Sequence, residues 1–330
     1  MSEINSWRKH RLHLGVTLLL LVICMGLAAV GGTQRLTDDI ATNPAQARFV
    51  YSDIDHFLDA ARAIDSGLDP ARTLKTLYFE RASPGLLMFV EKYDLTVERL
   101  TAAMAEHPEA YARLEETLQA LRAQEPRFRD VLAELESIIP NAVFPPTYFV
   151  VAGHRGIGSG STEGPLISIE KKTPESIRDD LHATLLHEMV HMQQLAAIGE
   201  AYFEIFSGEK RTLLALSIRE GAATFVAELI TGGSKHKNMA RDFLLSHEAE
   251  VWQRFQKEML GNETGDWLWR EPSDPDQPRD VGYAVGARIV QSYYESAADK
   301  NKAAQEIMAV TDYPTFLEKS GYAAKVGTTQ

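Results

Sequence analysis

The chain has 330 residues, with 34 Lys+Arg against 46 Asp+Glu and a formal net charge of −12. With 45% apolar and 24% charged residues it has the composition of a folded globular protein, which excludes a disordered chain, a collagen and a polytopic membrane protein. The acidic balance argues against a surface that coats nucleic acid, because phosphates demand Lys and Arg. A single cysteine excludes an intrachain disulfide and a Cys-rich zinc site, so any metal must be held by His and carboxylate.

Arg8, Lys9 and Arg11 precede an uncharged stretch from Leu14 to Gly32. At 1.5 Å per residue, that length just spans a hydrocarbon core of about 30 Å. Two readings stand. The small residues Ala28, Ala29, Gly31 and Gly32 suit a cleaved signal peptide, and the length suits an uncleaved anchor. Either way the basic flank places the N-terminus in the cytoplasm and the rest of the chain outside. The expected location is therefore extracytoplasmic, anchored by one N-terminal helix or secreted or periplasmic after cleavage. Cys24 lies inside the stretch, which leaves the remainder free of thiols, as suits an oxidising compartment. Without residues 1–33, 31 basic and 45 acidic residues remain, and the net charge becomes −14.

Residues 34–48 are polar and read as a linker. From Phe49 to about Ile139 the pattern is helical. Asp69-Pro70 and Ser83-Pro84 read as N-caps followed by Pro at the first helical position, and His107-Pro108 separates two helices. Leu114, Leu118 and Leu121 recur at helical spacing. Thr147 to Val151 and Leu166 to Ile169 carry strand signals, joined by a Gly/Ser-rich connection from Gly153 to Gly164. No Lys-Ser/Thr follows that connection and a strand succeeds it, so it is not a phosphate loop. Helices resume near Thr173. A Pro/Asp/Gly-rich loop from Gly261 to Asp280 carries Trp267 and Trp269, which either line a cleft or anchor the loop.

The segment His187-Glu188-Met189-Val190-His191 is H-E-x-x-H. Residues four apart on a helix differ by about 40° of rotation, so the two imidazoles share a face and can share a Zn²⁺. Glu188 is rotated away from ligation but can reach a water on the metal, as a general base must. Leu181, Leu185, Met189 and Met192 form the apolar stripe that packs this helix. Thr184 and Gln194 fall near the His face, whereas His182 does not. The next strong helix, from Arg211 to Ile230, carries Glu220 followed by Gly221, Ala222 and Ala223. Small residues there would let it approach the H-E-x-x-H helix closely, which makes Glu220 the candidate third ligand and leaves a fourth position open for water.

His187-Glu188-x-x-His191 followed by Glu220-Gly221-x-Ala223 resembles the gluzincin metallopeptidases, and more narrowly is similar to bacterial predicted zinc-dependent peptidases of undefined substrate. The resemblance extends to Ser52-Asp53-Ile54-x-x-Phe57, Ser83-Pro84-Gly85-Leu86 and Gly282-Tyr283-x-x-Gly286. It implies a zincin-like catalytic region in which residues 165–170 supply the edge strand above the active-site helix. It also implies His187, His191 and Glu220 as zinc ligands and Glu188 as the base. For the oxyanion donor, Tyr283 is the candidate, flanked by Gly282 and Gly286, with a core aromatic as its other reading. His154 is a weaker candidate. Glu228 would either orient a ligand His or be solvated.

The expected architecture is mainly α with a small β-sheet (α+β). Residues 1–33 would be a leader or anchor, 34–140 a helical scaffold and 141–330 the zincin-like region. The expected activity is zinc-dependent hydrolysis of a peptide or protein substrate. Two other readings stay open: a non-catalytic zinc protein of the cell envelope, and a metallohydrolase of non-peptide bonds. Glu188 argues against the first, because a purely structural site has no use for a base.

Overall fold

The computed structural model describes residues 40–156 and 158–327. The Leu14–Gly32 segment lies outside the described residues, and among those described no helix is long and apolar enough to cross a membrane. The architecture is mainly α with one small mixed sheet, as the sequence predicts.

The chain opens with β1 (Phe49–Val50) and seven helices, α1 (Ser52–Asp65), α2 (Pro70–Leu77), α3 (Pro84–Tyr93), α4 (Val97–Glu106), α5 (Pro108–Ala112), α6 (Leu114–Ala123) and α7 (Glu125–Ile138). Their starts are written locally. The side chains of Asp69, Ser83 and Thr96 accept the backbone N–H groups of Arg72, Leu86 and Arg99, satisfying donors that a first helical turn leaves free. Three strands follow, β2 (Thr147–Val150), β3 (Gly158–Ser159) and β4 (Leu166–Ser168). Then come α8 (Pro174–Ile198), α9 (Leu213–Thr231), α10 (Lys235–Ser246), α11 (Glu248–Glu258), α12 (Val281–Ser296), α13 (Lys300–Met308), α14 (Tyr313–Ser320) and α15 (Tyr322–Gly327). The start of α8 is fixed by a reciprocal capping box between Thr173 and Ser176. One hydrophobic core runs from Ala47 to Val326 and draws on both the early and the late helices.

Three expectations need correction. Residues 40–48 are not a free linker: Ala41 bridges Phe144, and the Arg129 guanidinium donates to the carbonyls of Pro44, Ala45 and Ala47. Phe49 and Val50 are a strand rather than the start of a helix, because they pair in parallel with Thr147 and Tyr148 of β2. That ladder overrides the helical period, and Phe49 packs on Phe128 at 5.4 Å. Third, the residues expected to form the sheet's edge do not lie there.

The sheet order is β1-β2-β4-β3, with β3 antiparallel to β4 and the other pairs parallel. Strand β4 is internal and wholly buried, and the edge is β3, formed within the Gly-rich connection. A tight turn folds β3 back: Ser161 and Gly164 exchange backbone hydrogen bonds, and the Ser161 hydroxyl donates to the Gly164 carbonyl at 2.7 Å. Gly164 has φ +133°, and a Cβ there would lie 2.1 Å from the Pro146 carbonyl oxygen, so only glycine fits. From α3, Lys92 donates to the Ser159 hydroxyl at 2.7 Å and to the Gly160 carbonyl at 3.2 Å, fixing the strand from outside.

Gly286 allows the close backbone packing expected around Tyr283, whereas Gly221 serves a different neighbour from the one expected. A Cβ on Gly221 would lie 2.1 Å from the carbonyl carbon of Gly286, and one on Gly286 would lie 1.7 Å from the Ser217 carbonyl oxygen. These two glycines thus bring α9 against α12, while α9 also packs on α8, where Gln194 donates to the Arg219 carbonyl and Glu220 meets both histidines. Helix α9 is buried on every side from Leu213 to Ala227, so its small residues serve whichever neighbour lies nearest.

Candidate metal centre

Helix α8 presents His187 and His191 one turn apart, with Leu181, Leu185, Met189 and Met192 fully buried behind them. Helix α9 brings Glu220 against both. Its Oε2 lies 3.2 Å from His187 Nε2 and 3.3 Å from His191 Nε2. The three ligand atoms all lie within 4.8 Å of one another. Four-coordinate zinc with bonds of about 2.1 Å sets neighbouring ligand atoms roughly 3.4 Å apart. The two carboxylate-to-imidazole separations match that spacing, and two imidazoles with one carboxylate are a zinc donor set. Among the described residues this is the one such group of His, Cys, Asp and Glu.

The tautomer of His191 is set by its surroundings. The Gln194 amide donates through Nε2 to the Arg219 carbonyl at 3.0 Å, so its Oε1 faces His191 Nδ1 at 2.8 Å as an acceptor. His191 therefore carries its proton on Nδ1 and turns the Nε2 lone pair to the site, the usual support for a ligating histidine. Arg219, next to Glu220, is buried. It donates to the Tyr202 carbonyl and the Tyr313 hydroxyl and lies 4.2 Å over the Tyr202 ring. These bonds hold the α9 backbone in register beside α8.

The electrostatics follow from burial. His187 is pushed down to about 4 by desolvation, which outweighs its contact with Glu220. Burial also works against charge on His191, but the Glu220 carboxylate raises it on balance. Glu220 itself is held well below the usual carboxylate range: burial opposes this, and the two histidines prevail. Glu188 is pushed up to about 7 by burial. Its carboxylate lies under the edge strand, where a Cβ on Gly158 would come within 2.5 Å of Glu188 Oε1. A glycine in β3 thus makes room for the candidate base.

Tyr283, on α12, stacks its ring on His187 at a centroid distance of 6.0 Å. Its hydroxyl oxygen accepts the Trp269 indole N–H at 2.7 Å, which leaves the phenolic proton free to donate. The two tryptophans have separate roles. Trp267 is a core residue, donating to Glu258 and packed edge-on against Phe255. Trp269 is 41% exposed at the site's rim.

The remaining candidates lie apart. His154 stacks on His107 at 3.7 Å, with its backbone N–H on Glu170, rather than at the triad. Glu228 faces Arg241 at 4.0 Å and orients neither ligand histidine. Thr184 turns back to the Asp180 carbonyl. His182 Nε2 meets the Arg127 guanidinium at 2.9 Å.

Two residues at the site carry no signal in the sequence. Tyr202, in a helical turn after α8, sets its ring 6.5 Å from that of His191. Lys237, from α10, holds its ammonium 3.0 Å from the centroid of the Tyr283 ring. A tyrosine outside any motif and a lysine in a polar stretch look like ordinary surface residues until the helices are placed.

Comparison with curated proteins and with solved structures found no significant match. Comparison with protein families matches residues 147–313, half of the chain, from β2 into α14 and including all the residues of this centre. The chain belongs to the family described as "Predicted Zn-dependent protease (DUF2268)".

Proposed function

We propose that the protein is a gluzincin-type zinc peptidase that cleaves peptide bonds outside the cytoplasm, tethered by its N-terminal segment or released after its removal. The observation that carries this reading is the convergence of His187 Nε2 and His191 Nε2 on Glu220 Oε2 at 3.2 and 3.3 Å, with the buried Glu188 carboxylate within electrostatic reach of His191 and Glu220. His187, His191 and Glu220 would hold the ion. Zinc, when bound, supplies a Lewis acid that polarises the scissile carbonyl and acidifies a water.

The protein's own groups do the rest. Glu188 is buried next to the ligand His187 in the chain and near the other two ligands, so its carboxylate can accept a proton from the attacking water and pass it to the leaving nitrogen. Tyr283 donates its phenolic proton to the oxygen on which negative charge develops, while Trp269 fixes the hydroxyl from its acceptor side. Strand β3, pinned by Lys92, walls the cleft above Glu188. The partner is a peptide or protein, not a nucleic acid.

The test is zinc content together with hydrolysis of a broad peptide library. The wild type binds zinc stoichiometrically and cleaves the library. Glu188→Gln keeps the zinc and loses cleavage. Cleavage retained by that variant sinks the assignment of the base, and zinc retained after His191→Ala and Glu220→Ala together sinks the ligand set.

A further inference from the structure

Lys237 is out of place in a centre built to hold a dication. Its ammonium and a bound metal repel one another, and the side-chain hydrogen bonds of His187, His191 and Glu220 run to one another and to Gln194 rather than to it. Its side chain is only 20% exposed and lies 3.6 Å from Asp280 Oδ2, longer than a hydrogen bond. The Tyr283 ring beneath it is the ring that stacks on His187, so the ammonium lies one aromatic ring from a candidate ligand. Glu220 and Glu188 are both within its electrostatic range. An ammonium has three N–H groups. A π-face and one long ion pair leave it able to bind a further acceptor.

The backbone beside it is strained at one point. Trp269 has φ +66°, a left-handed conformation that a bulky side chain rarely adopts, and Asp280 has φ +62°, which aspartate tolerates more readily. They lock each other: the Trp269 N–H donates to Asp280 Oδ1 at 2.7 Å, and Arg279 donates to the Trp269 carbonyl at 3.1 Å. This arrangement holds an exposed indole at the rim, its N–H on Tyr283, while the second oxygen of Asp280 faces Lys237. The result is a cation over the Tyr283 ring, with the Trp269 indole bonded to the same phenol and half-exposed beside it. A cation so placed suits a carboxylate carried on a short apolar stem.

We propose that Lys237, backed by Asp280 and set over the Tyr283 ring beside Trp269, is a substrate subsite that takes a carboxylate, so that the protein selects peptides bearing an acidic side chain or a free C-terminus beside the scissile bond. The proposal rests on the peptidase reading for its substrate class.

The test separates binding from turnover. Zinc-loaded Glu188→Gln protein is immobilised, and a hexapeptide library in free-acid and amidated forms is passed over it. Retained peptides are read by mass spectrometry. Retention should favour Asp and Glu over Asn and Gln, or acids over amides, by about tenfold, the worth of one charge-assisted contact. The first comparison reports a side-chain source and the second a C-terminal one. Adding Lys237→Met abolishes the preference with zinc content unchanged, and Lys237→Arg keeps it. Asp280→Asn, which removes the competing carboxylate, strengthens it. Even retention of acidic and neutral peptides, a preference that survives Lys237→Met, or no retention at all overturns the subsite. If the preference holds and depends on Lys237 while the wild type cleaves nothing, the peptidase reading fails and the subsite stands.

Discussion

The early helices α1–α7 and the trio α8, α9 and α12 are built on opposite rules. Helix α6 is typical of the first group: Leu114, Thr117, Leu118 and Leu121 are buried, while Glu115 and Glu116 face water. Helix α9 has no solvated face along most of its length. From Leu213 to Ala227 every residue is buried, Ser217, Arg219 and Glu220 included. In a one-sided helix a charge can sit on the wet face and needs no partner. In α9 a charge must be paired or ligating, since an isolated buried carboxylate costs several kcal/mol. Arg219 meets this demand with a carbonyl and a phenol, and Glu220 with two imidazoles. Full burial is what turns Glu220 from an ordinary helical glutamate into a ligand candidate.

The contrast breaks most sharply at Gly286. A methyl group there would lie 1.7 Å from the Ser217 carbonyl oxygen, so α12 must move away from α9. Gly286→Ala should destabilise the fold by about 3 kcal/mol or more, at the severe end of overpacking, as read from urea denaturation. A loss below about 1 kcal/mol would mean that the α9–α12 contact yields easily and does not fix Glu220.

Next comes the chemistry of α8. Glu188→Gln should lower the turnover rate roughly 100- to 10,000-fold, the range of a general base, with zinc content and melting temperature unchanged. A smaller effect follows from the support of His191. Gln194→Ala removes the acceptor at Nδ1 and should weaken zinc affinity about 10- to 100-fold, measured by competition with a chelator. Unchanged affinity would show that Arg219 and the helix packing alone orient the ring.

The same contrast explains what could be read in advance. The early helices were legible because caps and apolar stripes are local signals: Asp69, Ser83 and Leu114 through Leu121 announce their roles within a turn or two. The H-E-x-x-H segment was legible because its spacing alone brings two rings together. Strand β3 was not, since two residues in a Gly-rich loop become an edge only through the Ser161–Gly164 turn and Lys92. Nor was the partner of Gly221, because a wholly buried helix has no preferred face to point to a neighbour. Lys237 and Tyr202 reach the site through helix placement, which no local pattern encodes.

The smallest predicted effect tests the other side of the comparison. Asp69 is exposed, and its one structural duty is to accept the Arg72 N–H at 2.8 Å ahead of Pro70. Asp69→Ala leaves that donor to water and should cost about 1 kcal/mol. The proline still presets the first turn, so α2 should persist. Because the lost bond is local and the residue belongs to a one-sided helix, zinc affinity should not change beyond what the lower global stability explains. A loosened zinc site in a fully folded Asp69→Ala protein would mean that the caps of the early helices tension the metal centre through the shared core. The two regions would then be one mechanical unit despite their different construction.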